Sequence, residues 1–157
     1  MPNIIWASYR SNHVLPIFKY FIEAQPYQEY NNTKQIQVRK SVMIKAEFGI
    51  IDKIDITKDY SGYEPETYGC IWISNDEYID SWQPALSVMQ TYFHNMDRPA
   101  TGLARWGVTL IPPKSLPAFQ DIVLSDPRLS TDENLVLLAD KIREAIRGGN
   151  YMIHYGV

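Results

Sequence analysis

Hydrophobic and polar residues alternate with a period of two over much of the first half of the chain. Ile36 and Val38 stand among polar neighbours, and Val42, Ile44, Ala46 and Phe48 then alternate with Met43, Lys45 and Glu47. Successive side chains of a strand point to opposite faces, so this spacing predicts β-structure with one buried face. Gly49 interrupts the run and is expected to mark a turn or a bulge. Residues 50–57 predict a second strand with Ile54 and Ile56 on one face, giving an antiparallel hairpin or meander. Residues 59–66 contain Ser61-Gly62 and Glu64-Pro65 and read as a loop. Residues 68–73 return to a strand. Cys70 and Trp72 lie on one face and Ile71 and Ile73 on the other, which predicts a central position in a sheet. Nearer the N-terminus, residues 3–9 read as a short strand. Ser11 or Asn12 is expected to cap a helix running to about Ala24, with Pro26 beyond its end.

After residue 73 the period changes. Ser74-Asn75-Asp76-Glu77 has the form of a capping box. Tyr78, Trp82, Leu86, Met89 and Phe93 follow at helical spacing. Pro84 sits inside this stripe, so the expectation is a short first turn ending near Trp82 and a new helix with Pro84 at its first position. Residues 97–101 read as a loop. Residues 103–111 read as a strand with Trp106, Val108 and Leu110 on one face, ended by Pro112-Pro113. Ser115 is expected to cap a helix bearing Leu116, Phe119, Ile122 and Val123. Ser130-Thr131-Asp132-Glu133 forms a second capping box ahead of the stripe Leu135, Leu138, Ile142 and Ala145. Arg143 and Arg147 sit near the negative end of that helix, and Gly148-Gly149 can stop it in a left-handed turn. Residues 151–157 predict a last strand, and Ile153 and Val157 need apolar cover, so it should pair inside the sheet. The sum is one α+β domain over residues 1–157. Its antiparallel or mixed sheet should have about five or six strands, with helices mainly on one face.

Composition agrees with a globular chain of 157 residues, 45% hydrophobic and 21% charged. A chain of this length buries enough surface to need neither metal nor disulfide. Cys70 is the single cysteine, which excludes an intramolecular disulfide and argues against a cysteine-based zinc site. No apolar run approaches the roughly 18 residues of a transmembrane helix. The start Met1-Pro2-Asn3-Ile4-Ile5-Trp6 lacks a signal-peptide pattern, so a cytoplasmic location is expected.

Motifs for chemistry are sparse. His13, His94 and His154 lie far apart in sequence and form no metal-ligand spacing. No phosphate-binding glycine pattern and no nucleophile elbow occurs, so no cofactor or metal is expected. Cys70, flanked by Ile71 and Trp72, has no activating base in sequence and reads as structural. An enzyme would need a site assembled from distant residues: His154, His94 and Asp97 with Arg98 or Arg105.

Charge is more informative. Asp52, Asp55, Asp59, Glu64, Glu66, Asp76, Glu77 and Asp80 face only Lys53 and Lys58 between residues 52 and 80. That segment carries −6, leaving +3 for the rest of a chain whose net charge is −3. The same stretch holds Tyr60, Tyr63, Tyr68 and Tyr78. Tyrosine offers a large contact area with a polar tip, and acids speed encounter with a cationic surface. Asp59, Tyr60, Tyr63, Glu64, Glu66 and Tyr68 are therefore the expected partner-binding residues, against the simpler account of a solvated loop with capping acids. Lys34, Arg39, Lys40 and Lys45 form a basic counterpart too small to predict nucleic-acid binding.

Two stretches carry a resemblance. They are Gly102-Leu103-Ala104-Arg105-Trp106-Gly107-Val108-Thr109-Leu110-Ile111-Pro112-Pro113-Lys114-Ser115-Leu116 and Gly149-Asn150-Tyr151-Met152-Ile153-His154-Tyr155-Gly156-Val157. Both resemble small bacterial immunity proteins of contact-dependent inhibition and related polymorphic toxin systems. The resemblance implies a cytoplasmic, non-catalytic inhibitor that binds and occludes one cognate toxin domain, without membrane association. It implies no binding residues. Two other classes remain open from the sequence: a small enzyme built around His154 and His94, and a phage or secretion-system accessory subunit that associates through exposed aromatics.

Overall fold

In the computed structural model, which describes residues 44–156, the strands are β1 (Lys45–Ile51), β2 (Ile71–Ser74), β3 (Gln90–Phe93), β4 (Pro99–Thr101), β5 (Gly107–Ile111) and β6 (Tyr151–Gly156). These six pair antiparallel throughout, in the order β2-β1-β6-β5-β3-β4. The helices are α1 (Asp80–Leu86), α2 (Leu116–Leu124) and α3 (Glu133–Gly148). The described residues belong to the second of two units into which the chain divides, Met1–Gln37 and Val38–Val157. The strand and helix expected before Pro26 and the alternation from Ile36 to Met43 lie outside them.

The α+β expectation holds, and the last strand is indeed internal: β6 pairs with β1 on one side and β5 on the other. Even-numbered residues of β1 and β6 face the helices. Ala46, Phe48, Ile73, Ile111 and Met152 meet Leu116, Phe119, Val123, Leu135, Leu138 and Ile142 there, all at or near zero exposure. The opposite face is also apolar, with Ile51, Val108, Leu110, Ile153 and Tyr155 forming a second cluster. No helix covers that cluster among the described residues. Instead the irregular segment 52–70 lies across it, contributing Tyr60, Ile54, Tyr68 and Cys70.

Local chemistry explains where the elements stop. Asp132, outside α3, accepts the Asn134 amide at 2.8 Å and caps its first turn. Gly149 takes φ 64 beyond the last turn, where Asn150 N–H bonds Ala145 O at 2.9 Å. The expected cap at Ser130 is therefore corrected to Asp132; Ser130 ends a short 3-10 turn, Pro127–Ser130. Ser74 and Ser115 make no side-chain cap bond either. Ser115 instead donates its hydroxyl to Gln90 O at 2.6 Å, tying the start of α2 to β3.

Other expectations are revised. β1 runs straight through Gly49 to Ile51, and residues 52–57 form no strand, so the expected second strand over 50–57 and its hairpin are absent. β2 is shorter than expected and lies at a sheet edge. Its outward face is not buried as a central strand's would be: Trp72 is half-buried, beneath the Lys45 ammonium at 4.5 Å from its ring. The helical stripe ends early. Tyr78 lies on a π-turn, Asn75–Ile79, and α1 runs through Pro84 to Leu86. Gln90–Phe93 is strand β3, and the expected loop at 97–101 contains β4. Thr91, Tyr92 and Phe93 suit a pleated surface, and pairing with β4 and β5 overrides the helical spacing. Trp106 precedes β5 and is 65% exposed, not part of the buried face with Val108 and Leu110.

Gly49 is where segment 52–70 returns to the sheet. A Cβ there would lie 2.6 Å from both the Tyr68 Cβ and the Tyr68 carbonyl oxygen, and 2.7 Å from the Cys70 Sγ. Ile50 N–H donates to Tyr68 O at 3.1 Å beside it. Gly49→Ala should therefore cost about 1–3 kcal/mol in urea unfolding, by overpacking. Gly62→Ala, whose Cβ would meet nothing closer than the Glu64 side chain at 4.0 Å, is the control and should lose little.

Candidate partner-binding surface

Segment 52–70 has no regular structure, so its backbone polar groups need specific partners. Tyr60 supplies the central anchor. Its ring is buried at 4% exposure. Its backbone N–H donates to His94 O at 2.7 Å, and its hydroxyl accepts the Asp55 N–H at 2.9 Å. Cys70 N–H donates to Pro65 O at 3.0 Å, and the Tyr155 hydroxyl accepts the Glu64 N–H at 3.3 Å. Tyr63 packs edge-on against Tyr155, ring centroids 5.2 Å apart, and donates its hydroxyl to the Glu47 carboxylate of β1. That bond, made to an anion, pushes the Tyr63 hydroxyl up to about 12. Lys58 closes the segment on itself. Its ammonium donates to the Tyr68 hydroxyl at 3.1 Å, lies 3.5 Å from Glu64 and sits 5.0 Å above the Tyr60 ring.

The carboxylates face outward. Asp55 accepts from Thr57 N–H and its hydroxyl, and Asp59 accepts from Ser61 N–H at 2.7 Å. These bonds hold both acids below their ordinary range, ionised at neutral pH. Asp52, Asp59, Glu64 and Glu66 are exposed. Among the described residues only Lys58 forms an ion pair with any of the four, at Glu64. Tyr60 and Tyr68 thus point inward and the acids outward from one fixed segment.

The six sequence-derived residues divide accordingly. Asp59, Glu64 and Glu66 are exposed, and Tyr63 is 62% exposed, so all four are open to a partner. Tyr68 is half-buried. Tyr60 is corrected from contact residue to anchor: its ring lies in the second core cluster and presents nothing outward. Two residues belong to this surface that the charge pattern did not single out, Glu47 and Ile56, the latter 66% exposed. Strand alternation placed Glu47 opposite Phe48, but only the tertiary contact with Tyr63 brings it to the segment. Of the basic cluster, Lys34, Arg39 and Lys40 lie outside the described residues.

The residues considered for catalysis occupy different environments. His154 is fully buried on the helix-facing side of β6, its ring 4.7 Å from that of Phe48, and neither ring nitrogen has a hydrogen-bond partner. Burial pushes its pKa down to about 3, so the ring is neutral. His94 takes φ 67 at the end of β3 and stacks on Phe93 at 3.8 Å, with the Arg98 guanidinium 4.7 Å from that Phe93 ring. Arg105 pairs with Asp80 at 2.8 Å. Cys70 precedes β2, and burial pushes its thiol up to about 12, away from the thiolate a nucleophile requires. Among the described residues no three His, Cys, Asp or Glu side chains are grouped to hold a metal.

A groove of about 500 Å3 between α1 and α2 is lined by Trp82, Ala85, Ile122, Asp126 and Arg128 among others. Two of its charged groups, Asp126 and Arg128, are engaged with each other. Arg128 donates twice to the buried Asp126, at 2.8 and 2.6 Å, and to Glu77 O and the Ser81 hydroxyl; Trp82 Nε1 also donates to Asp126. Arg128 holds the Asp126 carboxyl well below the usual range. This network fastens the π-turn and α1 to the connection between α2 and α3.

No protein-family profile matches the chain, and no curated protein matches it. Among solved structures it is similar to a DNA mimic protein of Neisseria, at 16% sequence identity and a TM-score of 0.42. The alignment covers 71% of this chain and 98% of that one. Likeness at this level carries no functional residue across.

The His154 environment makes a pH prediction. Its folded pKa lies below the ordinary 6.5, so the unfolded chain binds the proton more readily. The stability from keeping this ring neutral is fully present above about pH 6.5 and is lost as pH falls toward the folded value. Urea unfolding at pH 5 should show about 2 kcal/mol less stability from this group than at pH 7.5. His154→Phe should remove that increment of pH dependence; an identical pH profile for both chains would show that the ring does not titrate between the states.

Proposed function

We propose that the chain is a non-catalytic binding protein of the toxin-neutralising immunity type, which occludes a basic surface of a cognate toxin domain with the acidic face built on residues 52–70. The observation that carries this reading is the division of labour within that segment. Tyr60 and Tyr68 hold it to the sheet and Lys58 closes it on itself, while Asp52, Asp59, Glu64 and Glu66 stand outward, only Glu64 among them ion-paired to a cation among the described residues. The acids attract a cationic partner during encounter. Because the segment is already fixed, little ordering entropy is lost when the complex forms. Asp59, Glu64 and Glu66 then pair with partner cations, and Tyr63 adds contact area beside them. The same acids repel a phosphate backbone, which disfavours nucleic acid as the ligand. The likeness of residues 102–116 and 149–157 to bacterial immunity proteins supports the toxin assignment and a cytoplasmic site of action.

The partner to test is a C-terminal toxin module of a large secreted polypeptide, sought in the gene immediately upstream, where the toxin of such a system is expected to be encoded. Association measured by stopped flow should slow steeply between low salt and about 0.5 M salt. The double variant Glu64→Lys, Glu66→Lys should associate at least about tenfold more slowly at low salt, with a flatter salt dependence. An association rate that ignores both salt and charge reversal would remove this face from the interface.

A further inference from the structure

Trp72 lies on the same face of the sheet as segment 52–70. Alternation along β2 sends Ile71 and Ile73 to the helix-facing core and Trp72 to the other side. Across the ladder Trp72 is opposite Glu47, and Glu47 is in turn opposite Tyr155 of β6. Directly opposed residues stand about 5 Å apart at Cβ, so Trp72, Glu47 and Tyr155 form one row. Segment 52–70 meets this row through Tyr63, which stacks edge-on against Tyr155 and donates its hydroxyl to Glu47 Oε2. Trp72 is the end of the row, on the outermost strand of this side of the sheet.

The chemistry of this row points to a cation. One is already there: the ammonium of exposed Lys45 lies 4.5 Å from the centroid of the Trp72 ring. That is inside the roughly 6 Å reach of such contacts, for which tryptophan is the most favourable ring. Beside it, Glu47 engages one carboxylate oxygen with Tyr63, and no cation pairs with Glu47 among the described residues. Glu66 adds a second negative charge nearby. Glu47 and Glu66 both raise the Tyr63 hydroxyl and the Cys70 thiol, with Lys141 opposing them at the thiol. Lys45 satisfies only part of this arrangement, since it touches the ring and makes no ion pair with the carboxylate. A guanidinium, planar and forked, can stack on an indole and bond a carboxylate oxygen at once.

Resting on the binding role proposed above, we infer that Trp72 and Glu47, flanked by Tyr63 and Glu66, form a seat for one arginine side chain of the basic partner, and that Lys45 is an internal occupant which the guanidinium displaces. The seat opens on the face where the acids of segment 52–70 gather, so the charge that draws the partner also delivers the arginine. Interfaces concentrate their binding energy in a few contacts, rich in tryptophan and arginine.

The seat is tested without the toxin by using N-acetyl-argininamide as the probe. The reporter is the indole N–H resonance that Trp72→Phe removes from the NMR spectrum. The probe should shift it saturably, and the neutral isostere N-acetyl-citrullinamide should not. Lys45→Gln should bind the probe about two- to fivefold more tightly, the strength of one exposed cation–π contact. Lys53→Gln, which removes the same charge from an exposed position of segment 52–70, should leave the affinity unchanged. Glu47→Gln keeps an acceptor for the Tyr63 hydroxyl and should weaken the probe. A Trp72 resonance unmoved by the probe in both the wild-type and Lys45→Gln chains overturns the seat. Equal tightening by Lys45→Gln and Lys53→Gln overturns it too, because net charge alone would then account for the effect. Against the toxin domain, Lys45→Gln should slow dissociation about two- to fivefold, and adding Trp72→Leu should cancel that gain. A toxin domain that does not bind the wild-type chain, while the probe still does, overturns the binding role and leaves the seat standing as a cation site.

Discussion

A sheet that is apolar on both faces must be covered twice, and the described part of this chain has helices for only one side. Everything distinctive about the molecule follows from that constraint. Phe48, Met152 and Ile111 are buried under α2 and α3, whereas Ile51, Leu110, Ile153 and Tyr155 lie under a segment without regular structure. A loop rarely serves as a cover, because its backbone donors and acceptors go unpaired when they are buried. Here the debt is met by tyrosine hydroxyls. Those of Tyr60 and Tyr155 each accept a backbone N–H that has no strand partner. Tyrosine suits the task since its ring fills an apolar layer while its tip bonds a peptide group. The abundance of this residue is thus a structural requirement before it is anything else.

The same requirement explains why the surface is acidic and ordered at once. Residues that cap tight turns, such as Asp55 and Asp59, bind their own backbone two positions on and keep a charge toward solvent. A chain that winds without helix or strand needs several of them. Their accumulation yields a fixed negative face, while the Lys58 ammonium is drawn inward over Tyr60 and Tyr68. Fold and proposed recognition therefore share residues: the turns that let the segment lie flat also supply the charge that a basic partner meets.

What could be read from the sequence was whatever depends on near neighbours. The helices α2 and α3, the Gly149 stop and the internal strand β6 carry their signals within a few residues, and they were legible. The β3–β4 pair was not, because Leu86, Met89 and Phe93 happen to recur at helical spacing while their strand character depends on β5. Residues 50–57 misled for the converse reason. Ile54 alternates as a strand residue would, but it packs under the segment without pairing to anything. At the candidate site the acids were legible as charge. The burial of Tyr60 and the recruitment of Glu47 by Tyr63 were not, since a tyrosine in sequence fits either side of a surface and only distant contacts decide.

The far margin of the sheet has its own meaning. β4 is three residues long and begins with Pro99, which has no amide hydrogen to offer. An antiparallel sheet built from hairpins is always exposed to polymerisation, because an open margin can template another chain. At this margin the ladder is too short, and too poor in donors, to propagate. A protein whose proposed task is to meet a partner through side chains on a face is thereby kept from meeting its own copies through the backbone of that strand.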